Sequence, residues 1–93
     1  MERDLTKRDF SGLNLKGVVL AGRDLTRANL TLANLSWANL TWANLTEAGL
    51  TRADMSGANL RGADLTNVRW DPAKPPAWPD GFVPPENAWT EPD

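Results

Sequence analysis

A chain of 93 residues with 10 Lys plus Arg, 12 Asp plus Glu and a formal charge of -2 is one small domain, without the one-signed field that nucleic acid or an anionic membrane would select. Neither Cys nor His is present, which removes disulfide frameworks, thiolate chemistry and the commonest metal ligand and general base. No apolar run approaches membrane-spanning length and the opening MERDLTKRDF is too charged for a secretion signal, so a cytoplasmic protein with no membrane partner is expected.

From residue 3 onward the chain keeps a five-residue period. Every fifth residue from Leu5 is apolar: Leu5, Phe10, Leu15, Leu20, Leu25, Leu30, Leu35, Leu40, Leu45, Leu50, Met55, Leu60, Leu65 and Trp70, 14 positions in register. Two residues earlier the column is small, Ala28 to Ala63 at every step and then Val68. Asp or Asn mostly precedes the apolar centre and Thr or Ser mostly follows it. The remaining position varies freely, as Lys7, Gly12, Leu32, Trp37, Glu47 and Asn67 show.

A period of five fits neither a helix, where such leucines scatter around the axis, nor a flat strand, where they alternate faces. It fits a chain that turns through roughly a right angle at each repeat, so that every centre points to one axis. Four sides close a coil after 20 residues, and successive coils stack at the β spacing of roughly 4.8 Å. The interior has room for one Leu per side, which explains the small second column. Gly, Asn, Asp, Ser and Thr belong at the corners.

The Ala-(Asp/Asn)-Leu-x-x pattern resembles that of the pentapeptide-repeat proteins over residues 3 to about 70. The resemblance implies an all-β fold, a right-handed quadrilateral β-helix solenoid. Residues 1–71 form the expected β-helix and 72–93 a Pro/Trp-rich C-terminal cap or tail. The first coils depart from the pattern: Arg3, Arg8 and Arg23 take the small inward slot, and Leu13 and Val18 enlarge it; Val19 and Gly49 replace Asp/Asn. A buried unpaired guanidinium is too costly to keep, so Arg23 is expected to escape the core and meet a carboxylate such as Asp4.

All seven prolines lie after residue 71, in DPAKPPAWPDGFVPPENAWTEPD, where ladder hydrogen bonding is expected to stop. The aromatic residues of this end, Trp70, Trp78, Phe82 and Trp89, are the candidates for a cap over the last coil or for a dimerisation segment. A homodimer through that segment or through the coil ends is the alternative use.

No catalytic constellation emerges. Asp24, Asp54 and Asp64 are what the repeat grammar requires, and no base, nucleophile or pocket accompanies them. A non-enzymatic chain with no cofactor, metal or small-molecule substrate is expected. The candidate interaction surface is Leu32, Trp37, Trp42 and Arg52. The coil register sets Gly17 and Gly57 about Trp37, and Gly22 and Gly62 about Trp42, leaving bare backbone on both sides of each indole. Exposed Trp is an interface residue, and an unknown protein is the expected partner. The resemblance also implies an alternative, inhibition or protection of DNA gyrase or topoisomerase by imitation of duplex DNA. B-DNA carries one charge per roughly 1.7 Å, so a stack of about 17 Å needs on the order of ten negative charges. Residues 1–70 instead hold nine Lys or Arg and seven Asp or Glu, the wrong sign. Arg23, Arg27 and Arg52 lie on different sides and make no basic stripe, so nucleic acid is not expected either.

Overall fold

The structure, a computed structural model, describes residues 2–92. Met1 and Asp93, the outer bounds of the two expected segments, lie outside the described residues. The expected square coil is present. Ten parallel β-bridges each join residues 20 apart, from Asp4–Asp24 to Gly49–Arg69. Each side contributes a single bridging residue, and no continuous strand forms among the described residues. The sides are too short for more, because a turn consumes the rest of every repeat.

Those turns explain the five-residue grammar. At each corner the N–H three residues beyond the apolar centre donates to the carbonyl of the centre itself, as from Ala38 to Leu35 at 3.0 Å. The residue before that donor has φ between 55 and 72° in every repeat, the left-handed signature of a type II turn. Between corners, the centre, the corner residue and the bridging residue all donate to neighbouring coils. Leu25 N–H reaches the Asn44 carbonyl of the next coil at 2.7 Å, and Trp37 N–H reaches the Ser56 carbonyl at 2.9 Å.

The polar letters act as pairs. Asp24 Oδ1 accepts both the N–H of Thr26 (3.1 Å) and its hydroxyl (2.6 Å). Asn34 does the same for Ser36, and Asn44 for Thr46. These bonds favour the charged carboxylate, so Asp9, Asp54 and Asp64 are held below their ordinary value of 3.8 by the hydroxyl and then the N–H of Ser11, Ser56 and Thr66. A depressed folded value means that this stabilisation is fully present above the ordinary carboxylate range and is lost as pH falls through the folded values. Asn serves the same turn without titrating. An Asp9→Asn/Asp54→Asn/Asp64→Asn variant is therefore expected to lose less melting temperature than wild type on acidification below that range, checked by thermal melts across pH.

The core is the double column expected. Leu25, Leu30, Leu35, Leu40, Leu45, Leu50 and Met55 are fully enclosed, with Ala28 to Ala53 filling the small slot. Phe10, Leu15 and Leu65, in the outermost coils, are only half-buried, although Leu5 and Trp70 at the same ends are buried. Of the oversized slot residues, Arg3, Arg8 and Leu13 are exposed at the N-terminal end, Arg8 pairing with Glu2, while Val18 packs half-buried against the core. Arg23 is half-buried, its Nε enclosed and its Nη1 donating to the Ala21 carbonyl at 3.1 Å. The Asp4 carboxylate named for it instead accepts from Thr6.

The ladder does not stop at the first proline. Arg52 N–H donates to the Lys74 carbonyl (3.0 Å), Ala77 N–H to Ala53 (2.9 Å) and Met55 N–H to Ala77 (2.8 Å), so the tail adds one rung. The bridge Asp54–Ala77 spans 23 residues rather than 20. Proline removes only its own N–H, and the tail groups used here belong to Lys74 and Ala77.

Candidate interaction surface

The position that varies freely in sequence is the left-handed corner. Its glycines (Gly12, Gly17, Gly22, Gly57, Gly62) and Asn67 suit that backbone; Leu32 (φ 62°), Trp37 (61°) and Trp42 (60°) do not. A side chain there costs on the order of 1–2 kcal/mol per residue. These three bulky residues occupy successive corners of one coil, and they are 57, 68 and 71% exposed. They form a belt around the coil rather than one flat strip. Trp37 and Trp42 flank one face, Leu32 lies at the corner before, and Arg52 stacks on the Leu32 corner through the Leu32 N–H to Thr51 bond.

Each indole has a glycine on one side only. A methyl group built on Gly57 would stand 2.5 Å from the Trp37 ring, and one on Gly62 equally close to Trp42. The glycines of the coil below, Gly17 and Gly22, have nothing within 4 Å at that point. The expected shielding on both sides is thus half realised, and the other ring faces stay open. Gly57→Ala must meet both a left-handed backbone and the ring. It is expected to lower stability by about 1–3 kcal/mol, measured by denaturant melts, with part of the loss recovered in Gly57→Ala/Trp37→Ala.

The face between the two indoles is poor in charge. Its three coil layers, residues 17–22, 37–42 and 57–62, contain only Arg61, and the tail adds Asp80 beside the third, whereas the neighbouring face of residues 2–7, 22–27, 42–47 and 62–67 contains nine charged residues. Val19 stands in its first layer, 60% exposed. There the Asp/Asn–Thr/Ser pair is replaced as a unit by Val19 and Ala21, so that layer has no polar side chain to offer. By contrast, the charged corner column pairs within itself, Arg27 Nε lying 2.6 Å from Glu47.

The C-terminal candidates divide into two groups. Trp70 and Trp78 meet edge to face at 5.5 Å, and Phe82 stacks on Trp78 at 5.4 Å. Trp89 stands apart, beside Arg27, Glu47 and Arg69. Trp37 and Trp78 share a depression of about 450 Å³ that Pro79 and Asp80 close on one side. Two tail residues were missed in the sequence, Asn87 and Ala88. Asn87 grips the last coil as a strand would, accepting from Trp70 N–H (3.1 Å) and donating to the Trp70 carbonyl (2.8 Å). Val68 is fully buried and accepts from Ala88 N–H at 3.0 Å. A lone Asn among prolines carries no period that would have marked it.

The pentapeptide repeats profile matches residues 9–47 and 33–69, with 8 copies. Comparison with curated proteins gives no significant match. Among solved structures, a pentapeptide repeat protein from the cyanobacterium Cyanothece 51142 is similar at 27% identity over 81% of this chain and 63% of that one, with a TM-score of 0.47. The chain therefore spans under two thirds of that protein. One from Nostoc Pcc 7120 is 32% identical over 87% of this chain and 78% of its own, with a TM-score of 0.44. One from the Arabidopsis thaliana thylakoid lumen is 38% identical over 73% and 50%, with a TM-score of 0.37. By its repeat profile, which spans more than half of its length, the chain belongs to the pentapeptide-repeat family, whose fold is the right-handed quadrilateral β-helix.

Proposed function

We propose that this chain is a non-enzymatic protein–protein interaction module that docks through the Trp37–Trp42 face. The supporting observation is that three bulky apolar residues occupy corners where their backbone is strained and their side chains are mostly exposed. Lys7, Arg27, Glu47 and Arg52 bear the same left-handed strain with charged side chains, and glycine fills five other corners, so what sets these three apart is apolar bulk left exposed. Strain kept at an exposed site is a mark of use, and exposed Trp with few surrounding charges is what an interface core requires.

Capture from a native lysate by the wild-type chain and by Trp37→Ala/Trp42→Ala tests this. A protein retained by the first and lost by the second is the expected result; identical captures would remove the assignment. A gyrase supercoiling assay addresses the DNA-mimic alternative, which the excess of cations over residues 1–70 disfavours. The tail in this proposal is a cap on its own chain, supported by the Trp70–Trp78–Phe82 contacts and the Asn87 clip.

A further inference from the structure

We infer that the cleft between Gly49 and Trp89 binds a carboxylate group, carried by a small acid or by an acidic side chain of another molecule. It lies on the face opposite Trp37 and Trp42 and does not rest on the docking function proposed above. The argument starts from a rule of the fold. At every Asp or Asn that precedes an apolar centre, the side-chain Oδ1 accepts the N–H two residues on, and in most turns the hydroxyl there too. Two stacked positions, Gly49 and its ladder partner Arg69, lack that oxygen together. As a result the N–H of half-buried Thr51 has no acceptor among the described residues. The Thr51 hydroxyl accepts from Asp71 N–H at 3.0 Å and keeps its own proton for donation.

Neither conformation nor room requires this glycine. Gly49 is not one of the left-handed glycines. A methyl group built on it would meet nothing nearer than Asn29 Oδ1 at 3.8 Å, an ordinary contact. Val19, the other centre-preceding residue without such an oxygen, stacks on Asn39; Gly49 stacks on a cation. Among the described residues the Arg69 guanidinium has neither an ion pair nor a hydrogen bond. Trp89 walls the cleft, which holds about 340 Å³. Glu47, the carboxylate that lines it, is already paired with Arg27 Nε at 2.6 Å. The Asp71 carboxylate is turned to the Ala73 N–H at 2.9 Å. The cleft therefore presents an N–H, a hydroxyl, an unpaired guanidinium and an aromatic wall. A carboxylate answers all of these: one oxygen takes the place that Oδ1 holds in the other turns, and the second faces Arg69. Charge-assisted bonds of this kind are roughly twice as strong as neutral ones, and the indole suits an acid with an apolar body.

Amide NMR of the full chain at neutral pH tests this, with phenylacetate, phenylacetamide and N-acetyl-aspartyl methylamide as probes. The Thr51 N–H signal is expected to move downfield with the acids at about millimolar concentration, towards the region of Thr26 and Thr46, and to ignore the neutral amide. The two acids separate the sources, phenylacetate standing for a free small acid and the blocked aspartate for a protein side chain. Arg69→Gln is expected to weaken the response to acid by about tenfold or more. Gly49→Asn supplies the oxygen from within the chain. That variant is expected to fold as wild type does, to show the downfield Thr51 signal without any acid, and to give no further response. A Thr51 signal unmoved by both acids up to about 100 mM overturns the inference. An equal response to phenylacetamide, or one that persists in Gly49→Asn, does the same. So does a Gly49→Asn chain that fails to fold, because the glycine would then serve to seat Trp89.

Discussion

Leu40→Asp is expected to abolish folding. Leu40 is fully enclosed in the Leu20–Leu40–Leu60 column, flanked along the chain by Ala38 and Ala43 of the small slot. Removing the side chain from that site forfeits about 1.5–3 kcal/mol of burial. The carboxylate adds a larger cost, since the interior around it is leucine and alanine and offers no cation or donor. Domains of this size have a total margin of about 5–15 kcal/mol, which the two costs together exhaust. Leu40→Ala, which makes only a cavity, is expected to lose about 2–5 kcal/mol and still fold. Circular dichroism and thermal melts separate the two. A soluble Leu40→Asp chain with a cooperative transition would mean that this column is not the core.

Deleting residues 72–93 is expected to have the next largest effect. The deletion removes the Ala77 rung, the aromatic stack of Trp78 and Phe82, and the Asn87 clip on Trp70. Trp70 and Val68, both buried in the whole chain, would then face solvent. The backbone groups of Met55 and Arg52 that bond to the tail would lose their partners and leave an open ladder edge. Two aromatic side chains at about 1.5–3 kcal/mol each set the scale of the loss. At roughly 4–8 °C per kcal/mol for a domain of this size, the melting temperature should fall by more than about 10 °C, or the protein should aggregate. A truncated chain that keeps its melting temperature but passes from dimer to monomer on a sizing column would make the tail an oligomerisation arm.

What could be read from the residues was what repeats. The apolar and small columns fixed the period, the square cross-section and the buried leucines, because each inward side chain has one place to go. The corner was misread as free. Lys7, Leu32, Trp37 and Glu47 hid the fact that the position is left-handed, although five glycines and Asn67 at that register carried the signal. Recognising it adds backbone strain to the exposure that already marked Trp37 and Trp42 as a candidate interaction surface. The Asp/Asn and Thr/Ser columns were assigned to turns, but their pairing through one side-chain oxygen was not foreseen. The tail defeated sequence reasoning for a different reason. Its ladder rung rests on Lys74 and Ala77 among prolines, and its clip on Asn87, so nothing periodic marks either. The outermost centres Phe10, Leu15 and Leu65 are less buried than their register suggests, although Leu5 and Trp70 at the same ends are buried, and a period does not distinguish them.

The central claim is that the Trp37 and Trp42 corners are kept for contact with another molecule rather than for the stability of this one. Its most direct measurement is the unfolding free energy of Trp37→Gly/Trp42→Gly against wild type by denaturant melts. Glycine relieves a left-handed strain of about 1–2 kcal/mol at each corner and gives up the one-sided packing of each ring on Gly57 or Gly62. The expected result is a stability equal to or above that of wild type, accompanied by loss of binding. A loss of more than about 2 kcal/mol would show instead that the indoles hold the coils together, and would contradict the claim.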